Sequence, residues 1–277
     1  MNTVLEKKYL HESVVKLVLE APEIARKRLP GQFIVLMIGD RGERIPLTIV
    51  ESDTERGTIS IISQTVGKTT ADLAELEAGD SIKHVLGPLG RPTEIENFGT
   101  SVCIGGGVGV GVVYPIATAL KEKGNRVISI IGARTKDLLI LEEEMSRASD
   151  ELIAATDDGS YGYHGFVSGV LQELIDKGTT IDRVFAIGPV PMMRVICNVT
   201  KPYGIKTIVS LNPIMVDATG MCGACRVSVA GKTQFGCVDG PEFDGHDVDF
   251  DLLMNRLRMY SDQERQAMEC RCAHDGK

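Results

Sequence analysis

Three cysteines and one aspartate near the end of the chain have the spacing of a metal or iron–sulfur site. Plant-type [2Fe–2S] sites use Cys-x4-Cys-x2-Cys followed by a more distant fourth cysteine. Cys222, Cys225 and Cys237 keep that spacing, but the first position is occupied by Asp217. A carboxylate carries the same formal charge as a thiolate and can bind ferric iron through oxygen. The pattern therefore predicts a two-iron cluster with these four side chains as ligands.

Two other interpretations of this segment stay open on the sequence alone. Three thiolates and one oxygen also satisfy a tetrahedral zinc ion. Cysteines are also common in protein cores without any ligand. The small residues Gly220, Gly223 and Ala224 favour a cluster, because they let the backbone fold tightly around it with amides facing sulfur. Of the remaining cysteines, Cys103 and Cys197 are interpreted as core residues and Cys270 and Cys272 as part of an exposed tail.

Two segments in the first hundred residues have the residue types that hold a dinucleotide phosphate. Residues 44–48 combine a guanidinium for a pyrophosphate with a hydroxyl for a ring nitrogen. Residues 67–70 precede a short helical segment, whose free amides form a phosphate seat. The two threonines there are equally explained as a helix cap. The candidates are Arg44, Ile45, Pro46, Leu47, Thr48, Gly67, Lys68, Thr69 and Thr70.

A second group of nucleotide-binding candidates follows predicted strands in the middle of the chain. A glycine-rich run at 105–109 lies after one strand and before a helix, where glycines let a dinucleotide approach the backbone. Residues 157–158 and 188–192 follow later strands, so they fall at the carboxyl edge of the sheet; either segment could be only a turn. These candidates are Gly105, Gly106, Gly107, Val108, Gly109, Asp157, Asp158, Gly188, Pro189 and Met192.

The elements that must position these residues divide into three domains. Short apolar runs separated by turns predict an antiparallel β-barrel over 1–99, with a strand at 47–50 and a short helix at 70–76. Over 100–210, β-branched runs alternate with helical stretches, which predicts a parallel sheet with crossover helices. Residues 211–277 hold the cysteine-rich segment and then a charged stretch, 252–268, that is predicted to be helical.

The composition excludes several classes of protein. The 277 residues carry a net charge of −8 and no basic run, which argues against a nucleic-acid surface. Seven cysteines are an odd number for a disulfide framework. No apolar core of a signal peptide follows the charged N-terminus. Residues 101–120 are uncharged, but their glycines and Pro115 favour a strand, loop and helix over a membrane span. We therefore expect a cytoplasmic protein that binds neither membrane nor nucleic acid.

The order of these regions resembles the ferredoxin–NADP reductase superfamily over nearly the whole chain. That superfamily places an FAD-binding antiparallel barrel before a nicotinamide-binding α/β domain. The cysteine segment narrows the resemblance to a branch with a C-terminal [2Fe–2S] module. This branch contains the electron-transfer subunits of dihydroorotate dehydrogenase and the small subunits of NADH-dependent reduced ferredoxin:NADP oxidoreductases, also called sulfide dehydrogenases. Asp217 favours the second group, because the dihydroorotate branch carries cysteine there; the segments 42–48, 66–70 and 211–217 are similar to that group as well.

The resemblance implies FAD on the barrel, NAD(H) over the glycine-rich run and a [2Fe–2S] cluster in the last domain. It also implies a heterodimer with a larger subunit that carries further FAD and [4Fe–4S] clusters, and the combined reaction is flavin-based electron bifurcation. Hydride transfer there needs positioning rather than a catalytic acid or base. The chain departs from the usual Arg-x-Tyr-Ser/Thr flavin motif, since Ile45 and Leu47 take the Arg and Tyr positions and Arg44 comes one residue early.

Three functions remain as hypotheses from the sequence. The first is the small subunit of a bifurcating ferredoxin:NADP oxidoreductase. The second is an electron-transfer subunit of dihydroorotate dehydrogenase, and the third is a zinc-stabilised nucleotide-binding module without a redox role. The choice of nicotinamide is not settled by the residues: no carboxylate ends the predicted strand at 127–131, and Arg134 could suit a 2′-phosphate. The resemblance favours NAD(H).

Overall fold

The computed structural model describes residues 2–40 and 42–275, with side chains through Arg271. Its N-terminal region consists of two antiparallel sheets that enclose an apolar interior. The elements are β1 (Asn2–His11), β2 (Val14–Glu20), α1 (Pro22–Lys27), β3 (Phe33–Met37), β4 (Ile45–Thr48), β5 (Glu51–Asp53), β6 (Thr58–Gln64), α2 (Lys68–Glu75), β7 (Ser81–Ile82) and β8 (His84–Leu89). One sheet has the strand order β5-β6-β2-β1-β7 and the other has the order β4-β3-β8.

Alternation of apolar residues explains the barrel strands that the sequence predicts. Leu17 and Leu19 of β2 point inward and are fully buried, together with Ile59 and Ile61 of the neighbouring β6. The longest strand, β1, carries no such signal, because Val4 is its one fully buried residue. Sequence periodicity therefore misses it.

The strand predicted at 47–50 is shifted in the structure. The ladder begins at Ile45 and ends at Thr48. Beyond that point the amide of Ile49 bonds to the carbonyl of Gln32, just before β3, and the amide of Val50 turns to the carbonyl of Ser60 in β6. The apolar run thus covers the end of one strand and the corner after it.

The second region is a parallel sheet with helices on its faces. Its elements are β9 (Thr100–Gly106), α3 (Gly109–Glu122), β10 (Arg126–Ala133), α4 (Glu142–Arg147), β11 (Glu151–Thr156), β12 (Tyr163–His164), α5 (Val167–Asp176), β13 (Arg183–Ile187), α6 (Val190–Thr200) and β14 (Lys206–Ser210). The strands β10, β11 and β12 lie on one side of β9, and β13 and β14 lie on the other. The chain therefore reverses direction across the sheet beside β9, which is where open α/β sheets bind ligands. Both the barrel and the parallel sheet confirm the predicted fold class.

The last region holds β15 (Arg226–Val229), β16 (Lys232–Phe235), β17 (Glu242–Asp244), α7 (Phe250–Leu257) and α8 (Ser261–Asp275). Strand β17 pairs antiparallel with β14 and completes the seven-stranded sheet. The prediction of one helix over 252–268 is wrong, because residues 258–260 form a turn between α7 and α8. Helix α7 buries Phe250 and Leu253, whereas no side chain of α8 through Arg271 is fully buried. The helical segment is interrupted after α7, the helix that has a buried apolar face.

Two apolar clusters hold the regions together. Val50 and Ile62 of the barrel pack with Val110 and Val113 of α3. On the other side, Phe33 and Val35 of β3 pack with Met215, Cys225 and Cys237 of the last region. Within the described part of the chain, we find no helix with the length and apolar character needed to cross a bilayer.

Candidate functional site

A cleft of about 380 Å³ opens between the barrel and the carboxyl edge of the parallel sheet. We call it the main cleft. The barrel side is formed by the ends of β4 and β6, and the sheet side by the loops after β9 and β13. The predicted residues that line it are Pro46, Leu47, Thr48, Gly106, Gly107, Val108, Gly109, Gly188 and Pro189.

The glycines after β9 allow close packing on one side and an open backbone on the other. A Cβ on Gly109 would lie 2.4 Å from the carbonyl oxygen of Ile187, and one on Gly106 would lie 2.5 Å from the sulfur of Met192. Gly107 differs, because it has a φ of +54° and no atom within 4 Å of its Cβ position. The predicted loop thus packs against β13 and Met192 while Gly107 leaves open space above its backbone. Gly105 packs against Val110 below the loop and does not line the cleft.

Several residues of the main cleft were not identified from the sequence. In β6, alternation places Ile62 and Gln64 on the face opposite the buried Ile61, so periodicity could have indicated them. Ser210 and the start of the segment 211–217 carry no nucleotide-binding motif, so only the fold brings them to the cleft. The unpredicted lining residues are Phe33, Val50, Ile62, Gln64, Gly111, Val112, Ile187, Ser210, Leu211, Asn212, Met215 and Pro241.

The start of α2 is organised as a helix cap with an open approach. The hydroxyl of Thr70 accepts hydrogen bonds from the amides of Val66 and Gly67, each at 3.0 Å. The hydroxyl of Thr69 donates to the carboxylate of Glu43 at 2.5 Å, and Lys68 pairs with Asp72 at 3.1 Å. Both interpretations of the threonines are compatible with this geometry, since no atom lies within 4 Å of the Cβ position of Gly67.

The guanidinium of Arg44 lies away from the main cleft. It lines a second space of about 370 Å³, the side cleft, together with Asp217 and Thr219. Ile45, its neighbour, packs against the barrel interior. The structure therefore groups Arg44 with the cysteine segment, while Pro46, Leu47 and Thr48 face the main cleft.

Asp157 and Asp158 lie in an exposed loop after β11 and do not line the main cleft. Their amides donate to the carbonyls of Ala133 (3.1 Å) and Arg134 (3.2 Å), so the loop rests on the end of β10. The carboxylate of Asp158 accepts from the hydroxyl of Ser160 at 2.7 Å and from its amide at 3.0 Å, and these bonds lower the pKa of Asp158. Both side chains remain at the carboxyl edge of the sheet, as predicted.

Two of the predicted cluster ligands lie side by side in the interior. The sulfurs of Cys225 and Cys237 are 3.2 Å apart, and both residues are 2% exposed. Burial, followed by the neighbouring Cys225 thiol, raises the pKa of Cys237 to about 12. Cys222 is exposed, and hydrogen bonds from the backbone amides of Ala224 and Asp217 lower its pKa. Backbone amides near this sulfur thus favour its thiolate form.

The carboxylate of Asp217 is the fourth predicted ligand. It accepts a hydrogen bond from the Thr219 amide at 3.2 Å and another from the Thr219 hydroxyl. These bonds, with the charge of Arg44, lower the pKa of Asp217. The backbone around it is unusual, since Ala218 has a φ of +63° and Gly220 a φ of +85°. Among the residues whose side chains are described, no three His, Cys, Asp or Glu groups converge on one point.

The donor set nevertheless suits an iron–sulfur cluster. Two sulfurs are buried together, a third already accepts amide hydrogen bonds, and a carboxylate stands at the start of the same short loop. Amides directed at sulfur stabilise the negative charge of thiolates bound to iron. Loss of the two hydrogen bonds from Thr219 would leave the carboxylate of Asp217 free to bind a metal.

The cysteine segment and the main cleft share a wall. Phe33 and Met215 line the cleft. The same two side chains pack in one apolar cluster with Cys225 and Cys237. The side chains of Phe33 and Met215 therefore form the layer between a group bound in the main cleft and the buried sulfurs of Cys225 and Cys237.

Comparisons with known proteins agree with this architecture. Residues 212–249 match the iron-sulfur cluster binding domain of dihydroorotate dehydrogenase B. An Amycolatopsis cytochrome P450 reductase has the same fold over 73% of this chain and 65% of its own, with a TM-score of 0.62 and 21% identity. The structure of an NADH-dependent reduced ferredoxin-NADP oxidoreductase, studied for flavin-based electron bifurcation, is 43% identical and superposes with a TM-score of 0.93 over 97% of each chain.

Fold and site together define an electron-transfer subunit of a flavin and iron–sulfur oxidoreductase with a ferredoxin reductase-like fold. A Thermotoga maritima homologue of the dihydroorotate dehydrogenase B (NAD+) electron transfer subunit is 45% identical over 97% of this chain and 95% of its own. The Fusobacterium nucleatum subunit of that enzyme is 31% identical over 90% and 98%. The chain belongs to the family of dihydroorotate dehydrogenase B electron transfer subunits and their homologues. The predicted resemblance is thereby confirmed, and the non-redox zinc hypothesis loses its support.

Proposed function

We propose that this chain passes electrons between NAD(H), FAD and a [2Fe–2S] cluster as the small subunit of an NADH-dependent reduced ferredoxin:NADP oxidoreductase. When bound, FAD exchanges hydride with nicotinamide and single electrons with the cluster. The observation that carries the proposal is the wall shared by Phe33 and Met215, because it brings the cysteine sulfurs up to the cleft between the barrel and the sheet.

The residues of the chain bind and orient in this proposal. Pro46, Leu47 and Thr48 offer a strand edge to the flavin ring, and the amides of the first turn of α2 receive its phosphates. The nicotinamide dinucleotide lies over the loop at Gly107, where the backbone is open. Positioning of this kind converts a reaction between two cofactors into one within a single complex.

The proposed cluster ligands are Cys222, Cys225, Cys237 and Asp217. The apolar cluster around Cys225 and Cys237 excludes water from one side of the site. Amides of Asp217 and Ala224 support the exposed Cys222. The oxygen ligand sets the electron density on its iron and with it the reduction potential.

A larger partner subunit receives the electrons, since homologues of this chain are electron transfer subunits. We propose that this partner carries further FAD and [4Fe–4S] clusters and that the heterodimer bifurcates electrons. The TM-score of 0.93 over 97% of each chain to the ferredoxin-NADP oxidoreductase structure supports this choice. The aspartate at position 217 supports it as well.

Anaerobic reduction of the purified chain tests the proposal. The oxidised protein should show flavin absorption and bind two iron and two sulfide per chain. Addition of NADH should bleach the flavin and give the electron paramagnetic resonance signal of a reduced two-iron cluster. A colourless protein with bound zinc would contradict the proposed redox function.

The partner that copurifies separates the two redox hypotheses. A large subunit with [4Fe–4S] clusters and NADPH-dependent ferredoxin reduction supports the bifurcating complex. A partner that oxidises dihydroorotate in the presence of NAD+ would instead assign the chain to dihydroorotate dehydrogenase.

A further inference from the structure

The last helix of the chain returns to the barrel and is tied to α2 by one arginine. The Nε of Arg271 lies 2.8 Å from the carboxylate of Asp72, and its guanidinium also pairs with Glu75. The side chain of Arg271 is only 15% exposed. This link joins the end of the chain to the helix that begins at the proposed phosphate seat.

Apolar packing does not hold α8 in this place. No side chain from Ser261 to Arg271 is fully buried, and most are exposed. The helix also contains an ion pair of its own, Arg265 with Asp262 at 2.6 Å, in which both side chains are more than two-thirds exposed. Exposed pairs of that kind contribute little, whereas a shielded guanidinium between two carboxylates contributes more. Among the contacts described for α8, the pairing of Arg271 with Asp72 and Glu75 is the one that ties this helix to α2.

The same contact changes the charge next to the phosphate seat. Asp72 pairs with Lys68 at 3.1 Å as well as with Arg271, so one carboxylate is shared by two cations. Asp72 and Glu75 lie on the helix whose amino end offers amides to an anion, and negative charge there opposes a bound phosphate. Arg271 offsets these two carboxylates and leaves the charge of Lys68 available at the amino end of α2.

We infer that Arg271 is a positioning residue for the cofactor phosphates, and that docking of α8 on α2 and binding of FAD favour each other. The inference rests on the proposed placement of FAD at residues 66–70. Coupling between two sites is reciprocal, because any effect of α8 docking on FAD affinity requires an equal effect of FAD on docking. Both directions can be measured.

The first experiment compares Arg271→Ala with Arg265→Ala in the full-length, cluster-loaded protein. Arg265 is the matched control, since it lies on the same helix and pairs only within it among the contacts described. Dialysis against FAD should show about three- to tenfold weaker binding for Arg271→Ala, unchanged binding for Arg265→Ala and partial recovery for Arg271→Lys. Equal affinity of Arg271→Ala and Arg265→Ala would overturn the inference.

The second experiment measures hydrogen exchange of the α8 amides with and without FAD. FAD should slow exchange over 261–270 in the native chain and in Arg265→Ala, and not in Arg271→Ala. Identical exchange in both forms of the native chain would also overturn the inference.

A third variant keeps the arginine and removes its partners. Asp72→Asn with Glu75→Gln should undock α8 without weakening FAD binding, because the opposing carboxylates are gone. If this double variant loses as much affinity as Arg271→Ala, charge compensation is refuted. If the native chain binds no FAD, the proposed function itself is refuted. If the native chain binds FAD and Arg271→Ala binds it with the same affinity, the inference alone is refuted.

Discussion

The hydroxyl of Thr69 donates a hydrogen bond of 2.5 Å to the carboxylate of Glu43. This bond joins two segments that lie far apart in the sequence, the residues that lead into β4 and the first turn of α2. Both segments are proposed to hold FAD, one at its ring and the other at its phosphates. Their relative position is therefore fixed by protein groups before any cofactor arrives.

Thr69→Val tests this connection. The variant keeps the shape of the side chain but removes the donor, so we expect FAD to bind several-fold more weakly with little change in thermal stability. Thr70→Val should behave differently, because loss of the cap costs about 1 kcal/mol of stability. FAD affinity is measured by dialysis and stability by thermal denaturation. Native affinity in Thr69→Val would contradict the proposed role.

The glycine-rich loop makes two distinct predictions. Gly109→Ala places a methyl group 2.4 Å from a backbone carbonyl oxygen, so it should lower the free energy of unfolding by about 1–3 kcal/mol. Gly107→Ala meets no atom, and its positive φ costs about 1–2 kcal/mol. Its methyl group projects into the open space, so NADH binding should fall more than stability does. Calorimetric titration with NADH and denaturation curves separate the two effects.

Asp217→Cys should retain a two-iron cluster and lower its reduction potential. Sulfur donates more electron density to ferric iron than oxygen does, which stabilises the oxidised form. The potential is measured by a redox titration followed by electron paramagnetic resonance. Thr219→Val serves as a control, since it removes the hydroxyl partner of Asp217 without changing the ligand. An unchanged potential in the cysteine variant would show that Asp217 does not bind iron.

Removal of iron should expose a specific pair of thiols. Cys225 and Cys237 have sulfurs 3.2 Å apart, so mild oxidation of the iron-free protein should join them in a disulfide. Cys222 is exposed and should be the first of the three to react with iodoacetamide. Peptide mass spectrometry identifies both products. Preferential bridging of Cys222 to Cys225 would contradict the geometry.

Glu242 should give the protein a pH-dependent stability. Its carboxylate accepts a bond of 2.6 Å from Thr93, and burial raises its pKa from 4.5 to about 7. The folded state therefore holds a proton that the unfolded state has lost between these two values, so stability falls as pH rises from about 4.5 to 7. Glu242→Gln should remove this fall. The free energy of unfolding of the variant, relative to that of the native chain, should therefore be about 1–3 kcal/mol higher at pH 8 than at pH 4. Melting temperatures at both pH values provide the measurement, and parallel pH profiles of the two proteins would refute it.

The sequence predicts the parts of this molecule that have a period or a motif. The parallel strands are continuous β-branched runs, and the cysteine spacing specifies ligands within one loop. The strand β1 escapes such reasoning because Val4 is its one fully buried residue. The position of Arg44 beside Asp217 escapes it as well, since that contact depends on how the barrel and the last region pack.

The parts of the site that the sequence does not predict depend on contacts between distant segments. Residues 210–212 reach the main cleft because β14 joins the sheet beside β13, and Phe33 reaches it from β3 on the barrel side. No local pattern encodes this meeting of the two sides. Arg271 is a similar case, because a charged residue in a polar helix gives no sign of its partner on α2.

The apolar wall of Phe33 and Met215 has a consequence for assembly in the cell. Both side chains touch the cysteine segment and the cleft, so on the proposed placement of the cofactors the cluster supports one side of the flavin site. Oxygen damage to the metal centre should then also release flavin, and a chain made under iron starvation should be yellow only in part.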